Sequence, residues 1–285
     1  MAAGLSRWGR LDRSVRKQAG RDGYDRRVDA VELAYDEAGT GPVVVLIHGH
    51  PFNRSMWAPQ LAALAGGYRV IAPDLRGYGG SPVTPGTVPM SQLAADVTGL
   101  LDRLGVSRAA LVGLSMGGLV AMELALADPA RWWTLGLVAT TARPVTEAEQ
   151  ADRRAAADRA ERDGIRSMAQ DMAARLFGPD VDQAVASQVM AMMLATDPRG
   201  AAAALRGRAE RPDYRPLLAE LDLPAFVCTG DHDLYSTAAI TDELTGCLRR
   251  PHRVTLAGVG HLPNLELPDR FNAELLAFLG PVTAR

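Results

Sequence analysis

A serine hydroxyl is a poor nucleophile at neutral pH unless a base stands within hydrogen-bond reach. Ser115 lies where such activation could be built, in Gly113-Leu114-Ser115-Met116-Gly117-Gly118. This GxSxG string follows the apolar run Ala109-Ala110-Leu111-Val112 and opens a helical pattern, the strand-turn-helix context in which such a serine serves as a nucleophile. So tight a turn strains the serine backbone and leaves no room for side chains at the flanking glycines. Outside that context the same string marks only a turn.

The base must come from one of five histidines, His48, His50, His232, His252 and His261. His261 follows Gly258-Val259-Gly260, after the last predicted strand. It is therefore expected on a loop at the C-terminal edge of the sheet, where Ser115 emerges and where open α/β sheets place their ligands. His252 falls at the start of that strand and is expected at the surface, on the opposite edge. An acid must fix the imidazole tautomer and stabilise the imidazolium. Asp231 and Asp233 both follow the preceding apolar run, in Thr229-Gly230-Asp231-His232-Asp233, and the order Ser, Asp, His suits this arrangement. No acid stands at the other possible place, Ala139-Thr140-Thr141, and spacing alone leaves Asp231 and Asp233 both open. Acyl transfer also needs donors aimed at the developing oxyanion, each worth roughly 10² to 10³ in rate. The expected donors are the backbone N–H groups of Met116 and His50, since Pro51 has none and Gly49 permits close approach.

Positioning these groups requires a sheet. Val43-Val44-Val45-Leu46-Ile47 is wholly apolar and bounded by turn residues, the mark of a strand covered on both faces. Similar runs recur at Val70-Ile71-Ala72, Ala109 to Val112, Leu135-Gly136-Leu137-Val138, Ala225-Phe226-Val227-Cys228 and Arg253-Val254-Thr255-Leu256. An earlier alternation through Val31, Leu33 and Tyr35 reads as a further strand. Helical patterns over 57–64, 93–104, 117–127, 240–248 and 271–279 lie between the runs. The alternation predicts an α/β fold with a doubly wound, mostly parallel sheet. It breaks once, where residues 143–216 show only helical spacing and read as an inserted helical unit. The expected organisation is a core of 28–142 and 217–285, the insertion at 143–216, and a basic extension at 1–27. The extension carries Leu5, Trp8, Leu11 and Val15 at helix-like intervals, and is expected to lie against its own domain or to be unstructured, the alternative being a membrane-surface or partner contact.

A net charge of −2 over 285 residues provides no general field for nucleic acid or an anionic membrane. Cys228 and Cys247 are too few for a disulfide framework and are not spaced for zinc. No apolar run reaches the roughly 20 residues of a membrane span, and the N-terminus lacks a secretory pattern. The expectation is a soluble cytoplasmic protein with a small-molecule substrate, no nucleic-acid partner, no metal and no cofactor. Lys17 is the only lysine among many arginines, a bias read as genome composition, with no function attached.

Taken together these residues resemble the alpha/beta-hydrolase superfamily from about Val28 to Leu279. The resemblance rests on His48-Gly49-His50-Pro51, Pro73-Asp74-Leu75-Arg76-Gly77-Tyr78-Gly79-Gly80-Ser81, the Ser115 elbow, Gly230-Asp231-His232-Asp233 and Gly260-His261. It selects Asp233 as the acid, implies that the insertion is a cap shaping the pocket, and points toward bacterial esterases, enol-lactonases and cofactor-free haloperoxidase or perhydrolase relatives. One departure is His50, where a large apolar residue is more usual; its imidazole would either touch substrate and titrate near neutrality, or be a structural group near His48. His48 is expected to be structural, and Asp74 and Arg76 an internal ion pair or turn anchors. Met168, Met172, Met190, Met192 and Met193 in the insertion suit either a lipophilic, permissive pocket or core packing. The resulting expectation is hydrolysis of a carboxylic ester, lactone or thioester of a small lipophilic molecule through an acyl-enzyme on Ser115. The alternatives are another reaction of the same triad, such as C–C hydrolysis, perhydrolysis or a natural-product rearrangement, and a small-molecule receptor on a hydrolase fold.

Overall fold

The structure is a computed structural model and describes residues 30–283; the basic extension expected at 1–27 lies outside the described residues. Seven strands form one sheet in the order β1-β3-β2-β4-β5-β6-β7. They are β1 (Tyr35–Ala38), β2 (Val43–Ile47), β3 (Arg69–Pro73), β4 (Ala109–Leu114), β5 (Trp132–Val138), β6 (Pro224–Gly230) and β7 (Arg250–Leu256). Only β1 runs antiparallel, against β3; the remaining pairs are parallel. The predicted first strand is displaced: Val31 gives its amide to the Asp96 carboxylate and Ala34 gives its own to the Ser81 hydroxyl. These side chains occupy the backbone before Tyr35, so strand pairing begins later.

The apolar runs are buried on both sides because successive side chains point to opposite faces. Val45 and Ile47 join the core packed under α2 (Met90–Arg103) and α3 (Met116–Ala127), while Val44 and Leu46 join the core under α1 (Ala58–Leu64) and α11 (Pro268–Thr283). Each such fully buried side chain contributes roughly 1.5–3 kcal/mol, so both faces must stay covered.

Between β5 and β6 the chain leaves the sheet and forms a helical cap: α4 (Glu147–Asp163), α5 (Arg166–Leu176), α6 (Gln183–Leu194) and α7 (Pro198–Ala209). A short turn, α8 (Arg215–Leu218), returns it to β6, and α9 (Ala238–Gly246) and α10 (Pro263–Glu266) complete the helices. A capping box at Thr146 and Glu149 starts α4. Ala157 of α4 packs against Ala202 and Leu205 of α7, small residues that let these helices approach closely. Among the described residues no helix is long and apolar enough to cross a membrane.

Parallel register sets what the fold can do. Ile47 lies beside Gly113, Leu114 beside Val138 and Val138 beside Cys228. The loops after β2, β4, β5 and β6 therefore leave the same edge together.

Candidate active site

At the end of β4 the chain reverses into α3 within one residue, and Ser115 takes φ 54° and ψ −112°. Such backbone costs about 1–3 kcal/mol and persists only when its surroundings enforce it. Here they do. The Ser115 amide donates to Val138 O at 2.8 Å, and the Thr140 hydroxyl donates to Ser115 O at 2.7 Å. A side chain at Gly113 would collide with the backbone of Gly117, and one at Gly117 would collide with Ile47 O, so the elbow closes only with glycine at both positions. Ala139, at the end of β5, also has positive φ, 47°.

His261 lies on the loop between β7 and α10, and its amide donates to Leu176 O of the cap at 2.6 Å. Its ring Nδ1 meets both carboxylate oxygens of Asp233, at 2.9 and 3.0 Å. The Asp233 side chain is fully buried and also accepts the amides of Tyr235 and Ser236, at 2.8 and 3.0 Å. Burial alone would raise this carboxyl, but the adjacent His261 and the two amides outweigh burial and hold it below the ordinary carboxylate value. Asp231, the other candidate, instead accepts the amides of Gly258 and Val259 and braces the loop that leads to His261. With Nδ1 engaged, Nε2 is the ring atom left for Ser115, and His261 and Ser115 line the same cavity. The Ser115–His261 hydrogen bond is not closed among the described residues; such contacts are commonly long before substrate binds.

The two expected oxyanion donors sit on neighbouring backbones. Met116 opens α3, where a helix has no internal acceptor for its first amides. The His48 to Pro51 turn is held by Phe52 N–H donating to Gly49 O at 3.1 Å and by the Thr196 hydroxyl donating to Pro51 O at 2.8 Å. His48 is structural as expected: Nε2 accepts the Leu75 amide at 2.9 Å, so Nδ1 carries the proton toward Gly49 O at 2.8 Å. His50 is not a group that titrates near neutrality. Its burial, then the charge of Arg208 and the neighbouring His48, hold its pKa well below the usual histidine value. Its Nδ1 pairs with the Tyr78 hydroxyl at 2.7 Å, and that hydroxyl lies 3.9 Å from the Met116 sulfur. Tyr78 thus touches both His50 and Met116, the residues expected to supply the oxyanion amides, from inside a glycine-rich turn. Asp74 and Arg76 do not pair with each other. Asp74 holds Arg54 and the amide of Gly80, while Arg76 forms a buried pair with Asp96 at 2.6 Å; both anchor turns.

A second unforeseen residue is Glu266, whose carboxylate accepts the amides of Gly178, Gly260 and Leu262 at 2.7, 3.0 and 3.0 Å. One side chain thereby ties the end of α5 to the His261 loop. Its position four residues after Leu262 was readable as a local cap, but its reach to Gly178 was not.

The cavity above Ser115 measures about 520 Å³, within the range of small-molecule sites. Leu119, Ala139 and Thr140 form its floor, and the cap forms its roof. The roof mixes apolar and charged side chains. Among the described methionines Met168 and Met172 reach the cavity, while Met192 and Met193 are buried in the core. Six arginines, Arg143, Arg153, Arg159, Arg175, Arg208 and Arg211, line it against two carboxylates, Glu149 and Asp152. At these positions the arginines read as genome composition place charge around the cavity.

A strained serine at a strand-to-helix turn and an aspartate-bound histidine thus line one cavity under a helical cap. The chain belongs to the alpha/beta hydrolase family, whose profile matches residues 44–274, and it is a hydrolase. It is 30% identical over 234 residues to 3-oxoadipate enol-lactonase 1 of Acinetobacter baylyi, covering 81% of this chain and 85% of that protein. Among solved structures it resembles a malate-bound thermophilic esterase from Thermogutta terrifontis, with 37% identity and TM-score 0.87 over 88% of this chain and 94% of the other. It also resembles the enol-lactonase from Burkholderia xenovorans LB400, with 33% identity and TM-score 0.83 over 89% and 98% of the two chains.

Proposed function

We propose that this hydrolase cleaves a carboxylic ester, lactone or thioester through an acyl-enzyme on Ser115, with residues 143–216 as the cap over the reacting carbonyl. The observation that carries the proposal is the His261 ring, held at Nδ1 by the buried Asp233 carboxylate and sharing one cavity with the strained Ser115. In this reading the Ser115 hydroxyl attacks the carbonyl carbon as Nε2 of His261 takes its proton. The oxyanion forms against the amides of Met116 and His50, supported by the N-terminal end of α3. His261 returns the proton to the leaving oxygen or sulfur, and the bond to the acyl carbon breaks. Water, deprotonated by the same nitrogen, then releases the acid and restores the serine. The enol-lactonase and esterase relatives favour an ester or lactone.

Replacing Ser115 with Ala tests this. Turnover of 4-nitrophenyl butyrate is expected to fall by at least about 10⁴-fold, with an unchanged circular dichroism spectrum; retention of activity would exclude Ser115 as nucleophile.

A further inference from the structure

Part of the cap's surface charge is paired. Arg206 meets Asp158 and Glu161, Arg199 meets Asp197, and Arg162 meets Asp163, all at 2.7–2.8 Å. The three arginines clustered at the cavity, Arg153, Arg208 and Arg211, differ from exposed unpaired arginines in being half-buried or buried. Among the described residues Arg153, Arg208 and Arg211 form no ion pair. Arg153 donates to Glu149 O at 3.1 Å, and Arg211 donates to the carbonyls of Arg143 and Arg208 at 3.3 and 3.4 Å, which are neutral acceptors. The nearby Glu149 carboxylate accepts the Thr146 amide at 2.9 Å and lies 3.6 Å from Arg143. Nε of Arg208 is buried without a protein partner. Burial first, then the charges of Arg153 and Arg211, push Arg208 down to about 9, and among the described residues no acid pairs with this half-buried cation.

Its location gives this cluster a use. The charge of Arg208 reaches both His50 and Tyr78, so it stands at the end of the cavity where the oxyanion loop begins. Nε2 of His50 is likewise buried without a protein partner. The orphaned Nε of Arg208, in a cluster of three guanidiniums on one cavity, calls for a ligand that is anionic and accepts hydrogen bonds. A carboxylate matches the planar guanidinium fork in a bidentate manner, and a cavity of about 520 Å³ suits a small acid. We infer that Arg208, backed by Arg153 and Arg211, binds a carboxylate of the substrate, so that this enzyme acts on esters or lactones that carry an acid group. The inference rests on the Ser115 reading for the reaction and on the cap arginines for the substrate class.

The test compares two ester pairs, with the rate of the Ser115→Ala variant subtracted as blank. Mono-4-nitrophenyl glutarate against 4-nitrophenyl pentanoate places the acid on the acyl side; 3-carboxyphenyl pentanoate against phenyl pentanoate places it on the leaving group. A preference in kcat/KM of at least fivefold for the acid-bearing ester of either pair is expected. The preferred pair identifies the side that meets Arg208. The Arg208→Met substitution is expected to reduce that preference at least fivefold, and Arg208→Lys to reduce it less. A smaller preference in both pairs, or one that Arg208→Met leaves intact, overturns the inference. Calorimetric binding of glutarate to the Ser115→Ala protein separates the two readings. Glutarate binding that Arg208→Met weakens, in a protein whose Ser115→Ala variant keeps its esterase activity, would sink the nucleophile and spare the anion site. Esterase activity without glutarate binding, or binding of inorganic phosphate in its place, would sink the carboxylate site and spare the nucleophile.

Discussion

The floor and roof of the cavity are made from different materials. The floor is backbone under constraint: Ser115 and Ala139 at positive φ, glycines that admit no side chain, and a buried carboxylate satisfied by an imidazole and two amides. The roof is side chain on regular helix. Glu149, Asp152, Arg153, Ala156 and Arg159 of α4 face inward at helical spacing, so an element whose inner face would ordinarily be apolar presents charge instead. The contrast separates two tasks: rigid backbone can hold reacting atoms in place, whereas exchangeable side chains on a helix can choose what reaches them.

If the floor is responsible for chemistry, its loss must appear in kcat. Asp233→Asn is expected to lower kcat about 10⁴-fold by favouring the wrong imidazole tautomer, far beyond any effect of a single roof residue on a neutral ester. The same variant sharpens a pH prediction. The folded Asp233 pKa lies below its unfolded value of 3.8, so its stabilisation is complete above that value and is lost as pH falls through the lower folded pKa. Acid denaturation below about pH 4 is expected to show a shallower stability loss in Asp233→Asn than in the wild type. Glu266→Ala addresses the join between the two regions. Removing an acceptor shared by three amides is expected to destabilise the fold by about 1–3 kcal/mol in urea denaturation, and to lower activity on neutral and acid-bearing esters alike. Tyr78→Phe should have the smallest effect. It leaves Nδ1 of His50 without its 2.7 Å partner, at about 1–2 kcal/mol, with a modest fall in kcat and little change in KM.

The floor was legible in the sequence because its constraints act over a few residues. Gly113, Gly117 and the apolar run before Ser115 specify the elbow locally, and chain order brings Asp233 and His261 to the same edge. The displaced first strand was harder to see, since it depends on Asp96 and Ser81, side chains 65 and 47 residues away from the amides they hold. Tyr78 and Glu266 were missed for the same reason: each is an ordinary residue in its own segment, and the link of Tyr78 to His50 and of Glu266 to Gly178 spans many residues. The charge of the roof went unforeseen for a different reason. Arginines on a polar helix look like a solvated face, and only the packing of α4 on α7 turns Arg153 and Arg208 toward one cavity.

The central claim, that His261 activates Ser115, is tested most directly by the rate at which a fluorophosphonate labels the protein, with the adduct located by peptide mass spectrometry. The account predicts a single adduct on Ser115, formed at least about 10²-fold more slowly in His261→Gln. Labelling at another residue, or at an undiminished rate without the imidazole, would contradict it.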